Sequence, residues 1–73
     1  MDKLTAVFEH DGDWWIGWVE EVPGANVQER TIEEAQESLK EAVFLILETN
    51  RNVARRDAEG RNVMREELLL GTT

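Results

Sequence analysis

Few residues in this chain have the types and spacing to do chemistry, and the first group sits together: His10-Asp11-Gly12-Asp13, one imidazole beside two carboxylates. Such a group can hold a cation weakly. Asp-Gly between two extended runs is also a strong hairpin-turn signal, so the stretch reads as a solvated hairpin tip. Ser38 could pair with His10 for nucleophilic attack, but it lies within a helical pattern and lacks Asp–His–Ser spacing. The acid pairs Glu20/Glu21 and Glu66/Glu67 could do general acid–base work. As neighbours on an extended chain, however, their side chains point to opposite faces. With one histidine and no cysteine, a Cys-based zinc site is impossible and most histidine-based metal constellations are ruled out. Phosphate-cradling glycine loops are also absent. Arg51, Arg55 and Arg56 could meet phosphate, yet near a helix C-terminus their simplest role is to offset the dipole. No catalytic residue, metal or cofactor is expected.

Charge says more. The 73 residues carry a formal net charge of −8. Residues 1–50 hold 12 acids against 3 bases, a net of −9, and residues 51–73 hold 4 acids against 5 bases, a net of +1. An acidic body repels nucleic-acid phosphates. Its simplest meaning is solubility, and its functional meaning is a basic protein partner drawn in by opposite charge. The length implies a single domain, 1–73, which is small enough to be marginally stable alone. There is no apolar signal core and no run of membrane-span length, so a cytoplasmic location is expected.

The elements that position these residues follow from periodicity. Leu4–Glu9 and Trp14–Glu20 read as two strands joined by an Asp11–Gly12 turn, which would place Phe8 opposite Trp15 and Glu9 opposite Trp14. One hairpin face then carries Leu4, Ala6, Phe8, Trp15, Gly17 and Val19. The other carries Thr5, Val7, Glu9, Trp14, Ile16 and Trp18. Pro23-Gly24 forms a turn, and Ala25–Glu29 is a short third strand. Thr31-Ile32-Glu33-Glu34 is a capping box that opens a helix. That helix carries Ile32, Ala35, Leu39, Ala42, Val43, Ile46 and Leu47 in one apolar stripe, with Phe44 far round the wheel. Its end falls between Asn50 and Arg56. Asn62–Leu70 reads as a last strand.

The expected fold is therefore α+β, in the order β-β-β-α-β: an antiparallel sheet of three to four strands with one helix on one face. Small residues Ala6 and Gly17 would let the helix approach closely, which places it on the Leu4/Phe8/Trp15 face. Trp14, Ile16, Trp18 and Val7 are then left on a face that nothing in the chain covers. Contiguous exposed apolar patches mark interfaces, and tryptophan is enriched at their hot spots. Trp14 and Trp18 could instead stack on single-stranded bases, but Glu9, Asp13, Glu20 and Glu21 surround them with the wrong charge.

The run from Asp13 to Glu48 resembles the N-terminal domain of HicB-type antitoxins. The resemblance is carried in order by an acidic hairpin, the aromatic strand with Trp15, the Pro23-Gly24 turn, a short strand ending near Gln28, and the helix start Thr31–Glu33–Glu34–Ala35. Val-Glu-Glu-Val-Pro-Gly-Ala replaces the family's more usual Pro-Asp-x-Pro-Gly-Cys. Glu21 keeps the acid, and the first proline and the cysteine are lost. The resemblance implies a partial ribonuclease-H-like fold without the nuclease's acidic metal cluster. It also implies a partner, a small basic HicA-type ribonuclease toxin whose active site the domain occludes. The helix-turn-helix or ribbon-helix-helix domain that commonly follows in the family is not expected in a chain ending at Thr73, so no direct DNA binding is expected either.

The leading expectation is a non-catalytic, HicB-like protein-binding domain. Trp14, Ile16, Trp18, Val7 and Phe44 are its apolar contacts, and Glu9, Asp13, Glu20 and Glu21 its acidic rim. The alternative is an orphan homo-oligomer, dimer or tetramer, whose sheet face serves self-association. A vestigial nuclease would need Glu9 and a second acid close enough to share a divalent ion.

Overall fold

The computed structural model describes residues 3–69. Strands β1 (Ala6–Asp11), β2 (Trp14–Val19) and β3 (Asn26–Glu29) form an antiparallel sheet in the order β1-β2-β3, followed by one helix, α1 (Ile32–Asp57). This is a small α+β fold.

The hairpin forms one residue later than its Asp-Gly pair suggests. Asp11 pairs with Trp14, so the two-residue turn is Gly12–Asp13. Gly12 has φ +62°, and among the described residues none other than glycine has positive φ. A type I′ turn centred on Asp11-Gly12 would need positive φ at both positions. A glycine-first turn of the II′ kind needs it only at Gly12. The register is thereby displaced by two residues: Phe8 faces Gly17, not Trp15, and Glu9 faces Ile16, not Trp14. A two-residue displacement preserves strand parity. The two faces keep the membership read from the sequence, although the individual partners change.

Between β2 and β3 the chain folds in on itself. Val22 N–H donates to Val19 C=O at 3.3 Å, and Ala25 N–H donates to Val22 C=O at 3.1 Å. These bonds make two successive turns. The second has Pro23 and Gly24 (φ +90°) at its centre, the positions where a type II turn prefers them. The turns push Val22 and Ala25 inward, where they join Val19 and Leu39 in the core, with Phe8, Val27, Val43 and Ile46 packed around them.

Thr31 caps α1. Its hydroxyl oxygen accepts from Glu34 N–H at 3.1 Å and its hydroxyl donates to Glu34 Oε1 at 3.0 Å. Glu34 thus reaches back to the cap's side chain. Ala35 and Leu39 are buried, and Ile32, Ala42, Val43 and Ile46 are half-buried. The helix lies on the Phe8/Val19/Val27 side of the sheet, the face expected for it, and packs chiefly on β2 and β3. Leu47, at the end of the expected stripe, is exposed, as is every helical residue after it.

Two boundaries need correction. The helix runs to Asp57, one residue past the expected range, because no glycine or proline interrupts it before Gly60 (φ +75°). The last strand expected at Asn62–Leu70 is not formed over residues 62–69, which are exposed and irregular; Leu70 lies outside the described residues. The long helix accounts for this by delivering the chain well beyond the sheet, away from any strand edge. The molecule is accordingly drawn out, spanning 52 × 31 × 15 Å. Its Cα radius of gyration is 15.9 Å, against about 11 Å for a compact chain of this length.

Candidate functional site

β2 supplies the centre of the outer sheet face. Trp14, Ile16 and Trp18 alternate along it, and the register sets Val7 opposite Trp18 and Glu9 opposite Ile16. On the other flank, Gln28 stands opposite Ile16 and Asn26 opposite Trp18. Among the described residues no element lies over this face, because α1 occupies the opposite side. Trp14 is exposed, while Val7, Ile16 and Trp18 are half-buried within the sheet itself. Four of the five expected apolar contacts therefore share one surface.

Phe44 does not join them. It is 73% exposed on α1, on the opposite side of the sheet, where it borders a groove with Leu4, Ala6 and Phe8. The wheel correctly put Phe44 away from the buried stripe. Linear periodicity cannot say which surface such a residue joins.

The acidic residues divide in the same way. Glu9 lies on the tryptophan face, with Asp11 next along that face, and Asp13 sits in the adjoining turn. Glu20 ends β2's run, and its N–H donates to Thr5 C=O at 3.0 Å. Glu21 turns to the chain's own backbone, its Oε1 accepting from Thr5 N–H at 2.7 Å. The Thr5 backbone N–H, assisted by the Thr5 hydroxyl, holds the Glu21 carboxyl below the ordinary glutamate value by favouring its charged form. Glu21 thus fastens the turn region to the start of β1.

Two contacts were not anticipated. The Arg30 guanidinium sits 4.1 Å from the centre of the Trp14 ring, a cation–π arrangement. The signal available was parity: two residues past Gln28, Arg30 continues the outer face of β3. On the helix side, His10 stacks on Trp15 with ring centres 4.6 Å apart and planes 7° from parallel. Trp15 is only half-buried, at the hairpin end of the sheet, and not in the core.

The remaining chemical candidates are dispersed. The Ser38 hydroxyl donates to Glu29 Oε2 at 2.7 Å, tying α1 to β3, and so is not paired with His10. Glu66 and Glu67 lie in the exposed segment after the helix. Arg55 and Arg56 occupy the last helical turn, with Arg51 one turn earlier. Among the described residues no three histidine, aspartate or glutamate side chains come together as a metal site, and no helix is long and apolar enough to cross a membrane.

The chain is similar to the UPF0150 protein ssl0738 of Synechocystis sp., 50% identical over 48 residues, a match covering 63% of this chain and 65% of that protein. The chain thus spans a little under two thirds of that relative's length. No family model matches the chain, and no solved structure matches it significantly.

Proposed function

We propose that the chain is a HicB-like, antitoxin-type domain that catalyses nothing itself and neutralises a small basic HicA-type ribonuclease toxin by binding it. The observation that carries this reading is the uncovered outer face, with Trp14, Ile16, Trp18 and Val7 beside Glu9, Asp11 and Asp13. Indole rings supply large desolvated area at low entropic cost, and such anchors dominate binding energy when a polar rim excludes water around them. The net −9 of residues 1–50 steers a basic partner towards the domain. Arg30 over Trp14 supports the same chemistry, since that ring face already accommodates a guanidinium. A similar protein that carries a UPF0150 name accords with the HicB-type pattern in the sequence.

The test is co-expression with a small basic protein encoded next to this one. Rescue of growth and co-purification are expected, and both should be lost in Trp14→Ala/Trp18→Ala while the variant keeps its far-ultraviolet circular dichroism. Rescue that is indifferent to both substitutions would remove the outer face from the mechanism. Failure of wild-type chain to rescue or co-purify would favour the orphan homo-oligomer, whose cytoplasmic partner is another copy of itself.

A further inference from the structure

The groove on the helix side of β1 has no place in the function just proposed. It encloses about 520 Å³ between Leu4, Ala6, Phe8, Leu39, Val43 and Phe44. It arises because α1 packs on β2 and β3 and leaves β1 unroofed. Beside it runs an open sheet edge. Thr5 C=O accepts from Glu20 N–H, so odd-numbered residues of the first strand bond inward to β2. The N–H and C=O groups of Ala6, Phe8 and His10 then face outward, where among the described residues no strand meets them. An unpaired edge next to an apolar groove is a template for another strand.

The chain also holds a segment with the pattern of a strand and no sheet to join. Residues 62–69 leave Met64 85% and Leu68 81% exposed, although they pass beside Ala54, Arg55 and Ala58 of the helix tail. We infer that residues 62–69 of a second copy add to β1 as its fourth strand, and that two copies exchange this segment reciprocally. Met64 and Leu68 fill the groove, and Glu66 between them meets Lys40 on the groove wall.

Reach separates a second copy from the chain's own return. Ile46 is the last helical residue packed on the core, so α1 overhangs by 11 residues to Asp57, about 16 Å. An extended chain needs about five residues to come back that far. A return by the same chain would spend Met64 on the way, whereas a segment from another copy can lie along the whole groove. Area agrees. The accessible surface is 6288 Å², whereas a compact monomer of this mass exposes about 4,600 Å². The excess is about twice the roughly 800 Å² that each partner buries in a standard interface, room enough for each chain both to give and to receive a strand.

The chain has no cysteine, so a thiol pair is a clean probe. Full-length chains carrying only Ala6→Cys are mixed with full-length chains carrying only Glu66→Cys and treated with a short bis-maleimide. A cross-linked product of twice 8.4 kDa is expected, with untreated wild type scattering as a dimer. Leu68→Glu, at a side chain outside the core, should weaken the dimer at least tenfold while leaving the circular dichroism intact. Three results would each overturn the exchange. One is a monomer whose double Ala6→Cys/Glu66→Cys form links within one chain. Another is a monomer with no link at all. The third is a dimer indifferent to Leu68→Glu and unlinked by the probe. None of these results bears on partner binding by the opposite face.

Discussion

The ring of Phe8 lies across the backbone of Gly17: a β-carbon placed on Gly17 would stand 2.9 Å from both Cδ1 and Cε1 of that ring. The missing side chain lets a cross-strand aromatic lie flat and leaves room for Val27 beside it. Gly17→Ala must push the ring off its seat against Val19 and Leu39. The expected loss is about 1–3 kcal/mol of stability, read as a lower urea midpoint at unchanged slope. Phe8→Leu in the same background should recover part of it.

A five-residue buried set concentrates stability in few places. Leu39 is 3% exposed at the centre of the core, and Leu47 is 44% exposed two turns on. Leu39→Ala should cost about 2–5 kcal/mol, enough to unfold a domain of marginal stability at 37 °C. Leu47→Ala should stay within about 0.5 kcal/mol. Thermal melts of the two variants under one set of conditions make the comparison.

Glu21 sets an acid-side limit. Its carboxyl titrates below the ordinary 4.5 because the Thr5 N–H favours the anion. A lowered folded-state value contributes stability that is present above the unfolded value and lost as pH falls through the folded one. Stability measured from pH 6 down to pH 2 should therefore decline below about 4.5 more steeply in wild type than in Glu21→Gln. The hydrogen bond is exposed, so the difference in slope will be small. A variant whose acid limb superimposes on wild type would deny Glu21 this role.

Arg30 gives the proposed interface a signature. It places a positive charge over Trp14, on the face offered to a basic partner. Arg30→Ala should raise affinity for that partner severalfold at low salt, mainly through association rate, and the gain should shrink as salt screens the charges. Tryptophan fluorescence should change in the free protein as the cation leaves the ring.

Much of the architecture was legible from local signals. Thr31 with Glu34 marked the helix start, Pro23-Gly24 the turn, and strand alternation separated Phe8 and Val19 from Trp14 and Trp18. Features decided by competition between alternatives were less legible. Asp-Gly serves two turn types, and sparing Asp11 a positive φ moved the hairpin by one residue. Val22 looked like turn and Ala25 like the start of the third strand, and only the two linked turns bury them both. Phe44 was identified as unburied, but its surface depends on how far α1 sits from β1. The strand pattern after Gly60 is present in the residues, yet it has no neighbour because the helix overruns the sheet.

The Cα atoms span only 15 Å across the thinnest direction. One sheet and one helix of that thickness keep no side chain far from solvent, so a solitary chain opens often enough for proteases to reach it. Companionship closes that route by mass action. If the proposed partner or second copy binds, the lifetime of this protein in a cell becomes a gauge of how much of it is bound.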